Sequence, residues 1–121
     1  MGLGIRVLQV DDDHDVAESQ AMLMRCLGAN VHVAYDGKTA LRIIPEFNPQ
    51  LVILEIEMPD MNGCEMARRI RQMPEGKNIR LAALTGDRGA RQRAAEAGVD
   101  DFFVKPIQLH DLQRLLASSV S

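Results

Sequence analysis

At 121 residues the chain is expected to form one domain, 1–121, whose single core buries roughly two thirds of the unfolded surface. Hydrophobic residues make up 46% and aromatic residues only 3%, so that core is aliphatic and Met-rich. A net charge of −3, no membrane-length apolar run, no signal-peptide pattern after Met1 and only two cysteines exclude a nucleic-acid surface, a membrane span and a disulfide or zinc scaffold, leaving a cytoplasmic protein as the expectation.

Short aliphatic runs alternate with helical patterns along the whole chain. Residues 5–10 (IRVLQV) read as a buried strand ending at acids. Residues 16–27 place Ala17, Ala21 and Met24 on one helical face, flanked by Leu23 and Leu27, and Gly28 is a stop signal. A second strand is expected at 30–34 (NVHVA), followed by a helix over 37–44 that carries Ala40, Leu41 and Ile44 and meets Pro45. A third strand at 51–55 (LVILE) runs into a loop, then a helix at 64–71 with Met66, Ala67 and Ile70 inward. The fourth strand is expected at 80–84 (RLAAL). Its helix, 88–97, offers only Ala90, Ala94, Ala95 and Ala97 to the core and ends at Gly98. The fifth strand at 101–104 (DFFV) precedes a helix at 109–117 with Leu109, Leu112 and Leu116 in a stripe. The tail 118–121 is short and polar and is expected to fray, leaving an ordered part of roughly 4–117.

Five strands alternating with five helices imply βαβ units around a parallel sheet, an α/β doubly wound, flavodoxin-like fold of order 2-1-3-4-5. Right-handed crossovers put the first and fifth helices on one face and the other three on the opposite face, so Cys26 and Cys64 are too far apart to pair. Ligands of such sheets bind outside the carboxyl ends of the strands at the switch point. There the first strand delivers Asp11, Asp12 and Asp13. The third delivers Glu55 and Glu57, the fourth Thr85, Gly86 and Asp87, and the fifth Lys105 and Pro106. Three carboxylates facing one ammonium leave excess negative charge that a hard divalent cation would relieve, and Mg²⁺ is the natural candidate.

The set VDDD (10–13), LEIEMPDMNG (54–63), ALTG (83–86) and DDFFVKP (100–106) resembles, in order and spacing, the receiver domain of two-component response regulators, the CheY-like domain. The resemblance implies that Asp11 and Asp12 hold Mg²⁺, with the backbone carbonyl of Glu57 as a third protein ligand. It implies that Thr85 hydrogen-bonds an added phosphoryl group and Lys105 pairs with its charge. It further implies an aromatic switch at Phe102, a pocket wall from Met58, Pro59 and Gly63, and a proline, Pro106, often joined by a cis peptide. The implied partners are a sensor histidine kinase or phosphotransfer protein, and a downstream protein meeting the helix 4–strand 5–helix 5 face. Exposed candidates on that face are Arg88, Arg91, Gln92, Gln108 and Gln113. No DNA-binding output domain is expected within this chain.

One match fails, because Glu55 stands where the family places its phospho-accepting aspartate. Glutamate keeps the charge but moves the carboxylate outward by about 1.5 Å, one C–C bond. A misplacement of about 1 Å costs on the order of 10²-fold in rate, so phosphorylation at Glu55 is expected to be slow or absent and Mg²⁺ binding weakened. The longer side chain can instead reach toward Lys105 and Thr85, imitating part of a phosphorylated state with less charge. The expectation is a protein-binding module rather than an enzyme. Alternatives are a working phospho-receiver, a receiver whose aspartate was replaced by glutamate, and a metal-dependent phosphatase acting through Asp11 with Asp13 as its acid. A flavin or nucleotide carrier is disfavoured, since no GxGxxG follows the first strand. Asp13, Asp15 and Asp60 read as solvated loop acids, with Asp13 also a helix-cap candidate. The scattered His14, His32 and His110 do not suggest a metal site.

Overall fold

Strands β1 (Arg6–Val10), β2 (Asn30–Ala34), β3 (Leu51–Leu54), β4 (Arg80–Thr85) and β5 (Asp101–Val104) alternate with helices α1 (His14–Cys26), α2 (Gly37–Phe47), α3 (Gly63–Gln72), α4 (Arg91–Glu96) and α5 (Leu109–Ser118). The computed structural model describes residues 4–120. Met1 and Ser121, on which the leader and tail expectations partly rest, lie outside the described residues. All pairings are parallel, in the order β2-β1-β3-β4-β5. β3 is buried at every position, as expected of a central strand covered on both faces.

Period-two alternation along the strands divides the core in two. Leu8, Val10, Val52, Leu54, Leu81 and Ala83 face α2, α3 and α4, where Ile44, Met66, Ile70 and Ala94 cover them. Val7, Leu51, Ile53, Ala82 and Leu84 face α1 and α5, which supply Ala21, Met24, Leu112, Leu115 and Leu116. The expected partition of the helices therefore holds. Both cysteines are free, Cys26 exposed and Cys64 buried in the opposite half.

Several boundaries differ for identifiable reasons. α1 begins two residues early because Asp13 caps it, accepting from the Val16 N–H. α2 does not stop at Pro45 but continues to Phe47, where Asn48 adopts φ 52° and its N–H donates to the Ile44 carbonyl. Proline removes its own donor and crowds the carbonyl one turn back, a local cost that the buried Ile44 face outweighs. The expected helix over 88–97 is a 3-10 turn, Arg88–Ala90, followed by the short α4; Ala90, Ala94 and Ala97 are buried but Ala95 is exposed. Another 3-10 turn, Pro74–Asn78, has no counterpart in the expected elements. Leu23 and Leu109 are 40% and 51% exposed rather than flanking the core, and Leu115 takes the inward place on α5. The expected fraying at 118 is not seen. α5 includes Ser118, and Ser119 is buried with its hydroxyl donating to the Leu115 carbonyl at 2.7 Å.

At the end of the sheet opposite the acids, Arg71 ties together two loops, the α3–β4 and α4–β5 connections. Its guanidinium donates to the carbonyls of Gly98, Gly76 and Ile79 and to the Asp100 carboxylate, at 2.6–3.0 Å. Gly98, at φ 99°, lies against the Arg71 stem, where a Cβ would meet Cγ at 3.0 Å. Truncation to Ala leaves three carbonyls and a carboxylate short of donors. Arg71→Ala is expected to lose about 3 kcal/mol in urea unfolding, with Arg71→Lys recovering less than half because an ammonium cannot span the fork.

Candidate functional site

The sheet register decides where the functional side chains start. Val10 lies level with both Ala34 and Leu54, and the ladder continues one residue beyond the strands. The Asp11 N–H donates to Ala34 O at 3.1 Å, the Glu55 N–H to Val10 O at 3.0 Å, and the Lys105 N–H to Thr85 O at 2.9 Å. Each bond fixes a backbone just where its side chain leaves for the carboxyl end of the sheet. Asp11 is 2%, Glu55 7% and Thr85 1% exposed, and Lys105 is half-buried.

Lys105 sits between the two acids. Its Nζ lies 2.8 Å from Asp11 Oδ2 and 2.7 Å from Glu55 Oε1. The remaining carboxylate oxygens are also engaged, Asp11 Oδ1 by the Asp13 N–H and Glu55 Oε2 by the Glu57 N–H, both at 3.0 Å. The Thr85 hydroxyl accepts from the Asp87 N–H at 3.3 Å and faces the same pocket as Glu55, whose carboxyl it helps to lower. Burial alone would push the Glu55 carboxyl up. The hydrogen bonds from Lys105, Thr85 and the Glu57 amide, together with the Lys105 charge, outweigh it and hold the carboxyl below its ordinary range. Burial likewise opposes the Lys105 charge, but its bonds to Asp11 and Glu55 raise the ammonium above its usual value.

Asp11, Glu55, Thr85 and Lys105 are thus brought together as expected. Asp12 is exposed beside them and makes no side-chain hydrogen bond among the described residues. Among those residues no three His, Cys, Asp or Glu side chains form a ready metal cluster. Glu57 is exposed, Met58 and Met61 are buried, and Gly63 packs against the third strand's exit, where a Cβ would stand 2.3 Å from the Glu55 carbonyl oxygen. Lys105–Pro106 is cis. Phe102 is half-buried, with the Arg91 guanidinium 4.8 Å from its ring centroid, and so is no bare edge-strand side chain.

Asp13 and Asp60 are more than solvated acids. Asp13 caps α1, and the Asp60 carboxylate accepts from the Gly37 N–H at the start of α2. Gln9, buried on β1, donates to Gln20 Oε1 at 2.8 Å while its own Oε1 has no partner. A polar residue inside an aliphatic strand was the signal for that pair.

Residues 7–117 match the profile of the family described as response regulator receiver domain. The chain belongs to this receiver-domain family. Response regulator MprA of Mycolicibacterium vanbaalenii is 36% identical over 110 residues, covering 89% of this receiver and 47% of that protein, so the chain spans about half of that relative. The receiver domain of a sensor histidine kinase from Pseudomonas aeruginosa, solved with magnesium coordinated in its active site cleft, superposes with a TM-score of 0.89 at 27% identity, covering 97% of this receiver and 98% of that chain. Response regulator TrrA of Thermotoga maritima, in complex with Mg²⁺ and BeF, gives 0.85 at 29% identity, covering 95% and 98%. The five-stranded, doubly wound receiver fold expected from the sequence is therefore the one found. No helix among the described residues is long and apolar enough to cross a membrane.

The charge triad contributes to the receiver's response to pH. Glu55 is depressed in the fold, so its contribution is complete above the unfolded value of about 4.3 and is lost as pH falls through the lower folded value. Lys105 is raised, so its contribution is complete below about 10.4 and is lost as pH rises through the higher folded value. In urea titrations from pH 7 to pH 3, Glu55→Gln is expected to lose less stability than the parent, because it has no carboxylate to protonate. Lys105→Ala leaves two buried acids without their cation and is expected to cost about 3–5 kcal/mol at pH 7.

Proposed function

We propose that this chain is a two-component receiver module in which Glu55 occupies the phospho-acceptor position and substitutes in part for a phosphoryl group. The observation that carries the reading is the 2.7 Å contact between Glu55 Oε1 and Lys105 Nζ, with Glu55 Oε2 held by the Glu57 N–H. Through its extra methylene, Glu55 takes up the lysine, the contact that the family resemblance assigns to an added phosphoryl group, and lies within the influence of Thr85, the resemblance's second phosphoryl partner. The mimicry is incomplete, since a carboxylate brings one negative charge where a phosphoryl group brings about −1.5 to −2. Phosphorylation is accordingly weak or absent, and the module acts by binding other proteins.

Asp11, Asp12 and the Glu57 carbonyl form an all-oxygen donor set that suits Mg²⁺, which keeps several waters and takes one or two carboxylates. Asp11 would have to share its oxygens with Lys105 and the Asp13 N–H, and Glu55 would contribute less than an aspartate because its extra methylene carries the carboxylate onto Lys105. When bound, the ion would neutralise charge on an incoming phosphoryl group. The magnesium coordinated in the active site cleft of the related kinase receiver, and the Mg²⁺–BeF complex of TrrA, support magnesium as the ion. Thr85 and Phe102 serve as the switch pair, with Phe102 held by Arg91. The partners are a sensor histidine kinase or phosphotransfer protein, and a downstream protein on the face made by α4, β5 and α5, in a cytoplasmic setting.

A phosphatase acting through Asp11 is less well supported. Asp11 is neutralised by Lys105, and the Asp13 carboxylate is turned into the start of α1, so neither is free as nucleophile or acid. Intact-mass measurement after incubation with Mg²⁺ and a small phosphodonor tests the reading. The parent is expected to gain no phosphoryl group while Glu55→Asp gains one, since displacement of the carboxylate by about 1 Å or more costs on the order of 10²-fold. Equal phosphorylation of both proteins would overturn it.

A further inference from the structure

The loop from Glu55 to Asn62 carries the Glu57 carbonyl, yet the contacts that hold the loop's far end lie on another element. Asp60 places its carboxylate at the first turn of α2, its Oδ2 and Oδ1 accepting from the Gly37 N–H at 3.2 and 3.4 Å. That N–H has no carbonyl partner within its helix, and a carboxylate there is favoured by the helix dipole. The next residue, Met61, is buried in the half-core under α2 and α3 and lies directly over Gly37. A Cβ on Gly37 would meet Met61 Cβ at 3.0 Å and Sδ at 3.1 Å. Gly37 has no positive φ, so what demands glycine here is the approach of Met61. At its near end the loop closes on itself, with the Gly63 N–H donating to the Ile56 carbonyl at 2.7 Å.

We propose that Asp60 and Met61 are positioning residues, docking the β3–α3 loop on the first turn of α2 and thereby setting where the Glu57 carbonyl stands relative to Asp11 and Asp12. Neither residue touches the charge triad. Their effect passes through the segment between two fixed points, the Gly37 contact and the Glu55–Glu57 turn, over which the backbone has little slack. Its consequence for metal binding rests on the oxygen donor set proposed above; its consequence for the loop does not.

The test compares Asp60→Ala and Gly37→Ala with Ile44→Val, a core truncation on the same helix that weakens α2 away from its first turn. Two readouts are taken by NMR on the whole chain: exchange of the Glu57 and Gly63 amides relative to core-strand amides, and the affinity for magnesium alone from the same signals. Asp60→Ala and Gly37→Ala are expected to speed exchange at both amides and to weaken magnesium by about two- to fivefold, the range of a helix-terminus charge interaction. Asp60→Asn, which keeps an acceptor oxygen, is expected to stay nearer the parent. Ile44→Val is expected to leave the relative exchange unchanged. If the two loop variants match Ile44→Val in exchange, the positioning role is overturned. If exchange responds but the parent binds no magnesium, the positioning role stands and the metal reading fails.

Discussion

A single ammonium shared by two buried carboxylates ties together three strand ends. Lys105 follows β5, Asp11 follows β1 and Glu55 follows β3, and the three meet within 2.8 Å contacts. Two acids this deeply buried would repel each other and lose their hydration if nothing stood between them. The lysine removes that cost, and in doing so it holds the outer strand's exit against the centre of the sheet. Fold and site are therefore one problem: the residue that neutralises the pocket also anchors the turn leading into α5.

The sheet was legible from the sequence because its three central strands are buried on both faces. Runs such as LVIL and RLAAL leave little alternative to a central parallel strand, and the crossover rule then leaves few orders, of which the usual doubly wound one is found. The site followed from the residues after those strands, since a one-residue extension of the ladder delivers Asp11, Glu55 and Lys105 to a common point. Less legible were features that depend on tertiary contact rather than on period. Pro45 could be absorbed because Ile44 anchors the preceding turn, and Leu109 left the core because Leu115 was better placed. Asp13 reads as a cap candidate because it directly precedes a helical pattern, whereas Asp60 looks like any solvated acid and gains its partner only because the start of α2 lies beside it. The break between the 3-10 turn at Arg88 and α4 reflects a segment with only alanines to bury, too little apolar area to enforce one regular helix.

α4 is unequal at its two ends. Its last turn runs into Gly98 and Asp100, both gripped by Arg71, and the Val99 N–H returns to the Ala94 carbonyl. Its first turn depends on Ala90, on the ion pair of Arg93 with Asp87, and on Arg91 resting over Phe102. Exposed ion pairs of this kind contribute little to stability, whereas the half-buried fork of Arg71 satisfies several carbonyls at once. The helix is thus held firmly where it is far from the acids and lightly where it approaches Thr85.

The scarcity of aromatic residues has a practical optical meaning. The chain has no tryptophan and a single tyrosine, so its near-ultraviolet emission comes from Tyr35. That ring lies at the corner between β2 and α2, stacked on His14 at 3.7 Å, and its hydroxyl donates to Glu18, which raises the phenol above its ordinary value. A carboxylate bonded to the phenol and an imidazole against its face both drain the excited state. Emission from the folded protein is therefore expected to be quenched, and its change on denaturation reads out the contact of α1 with that corner.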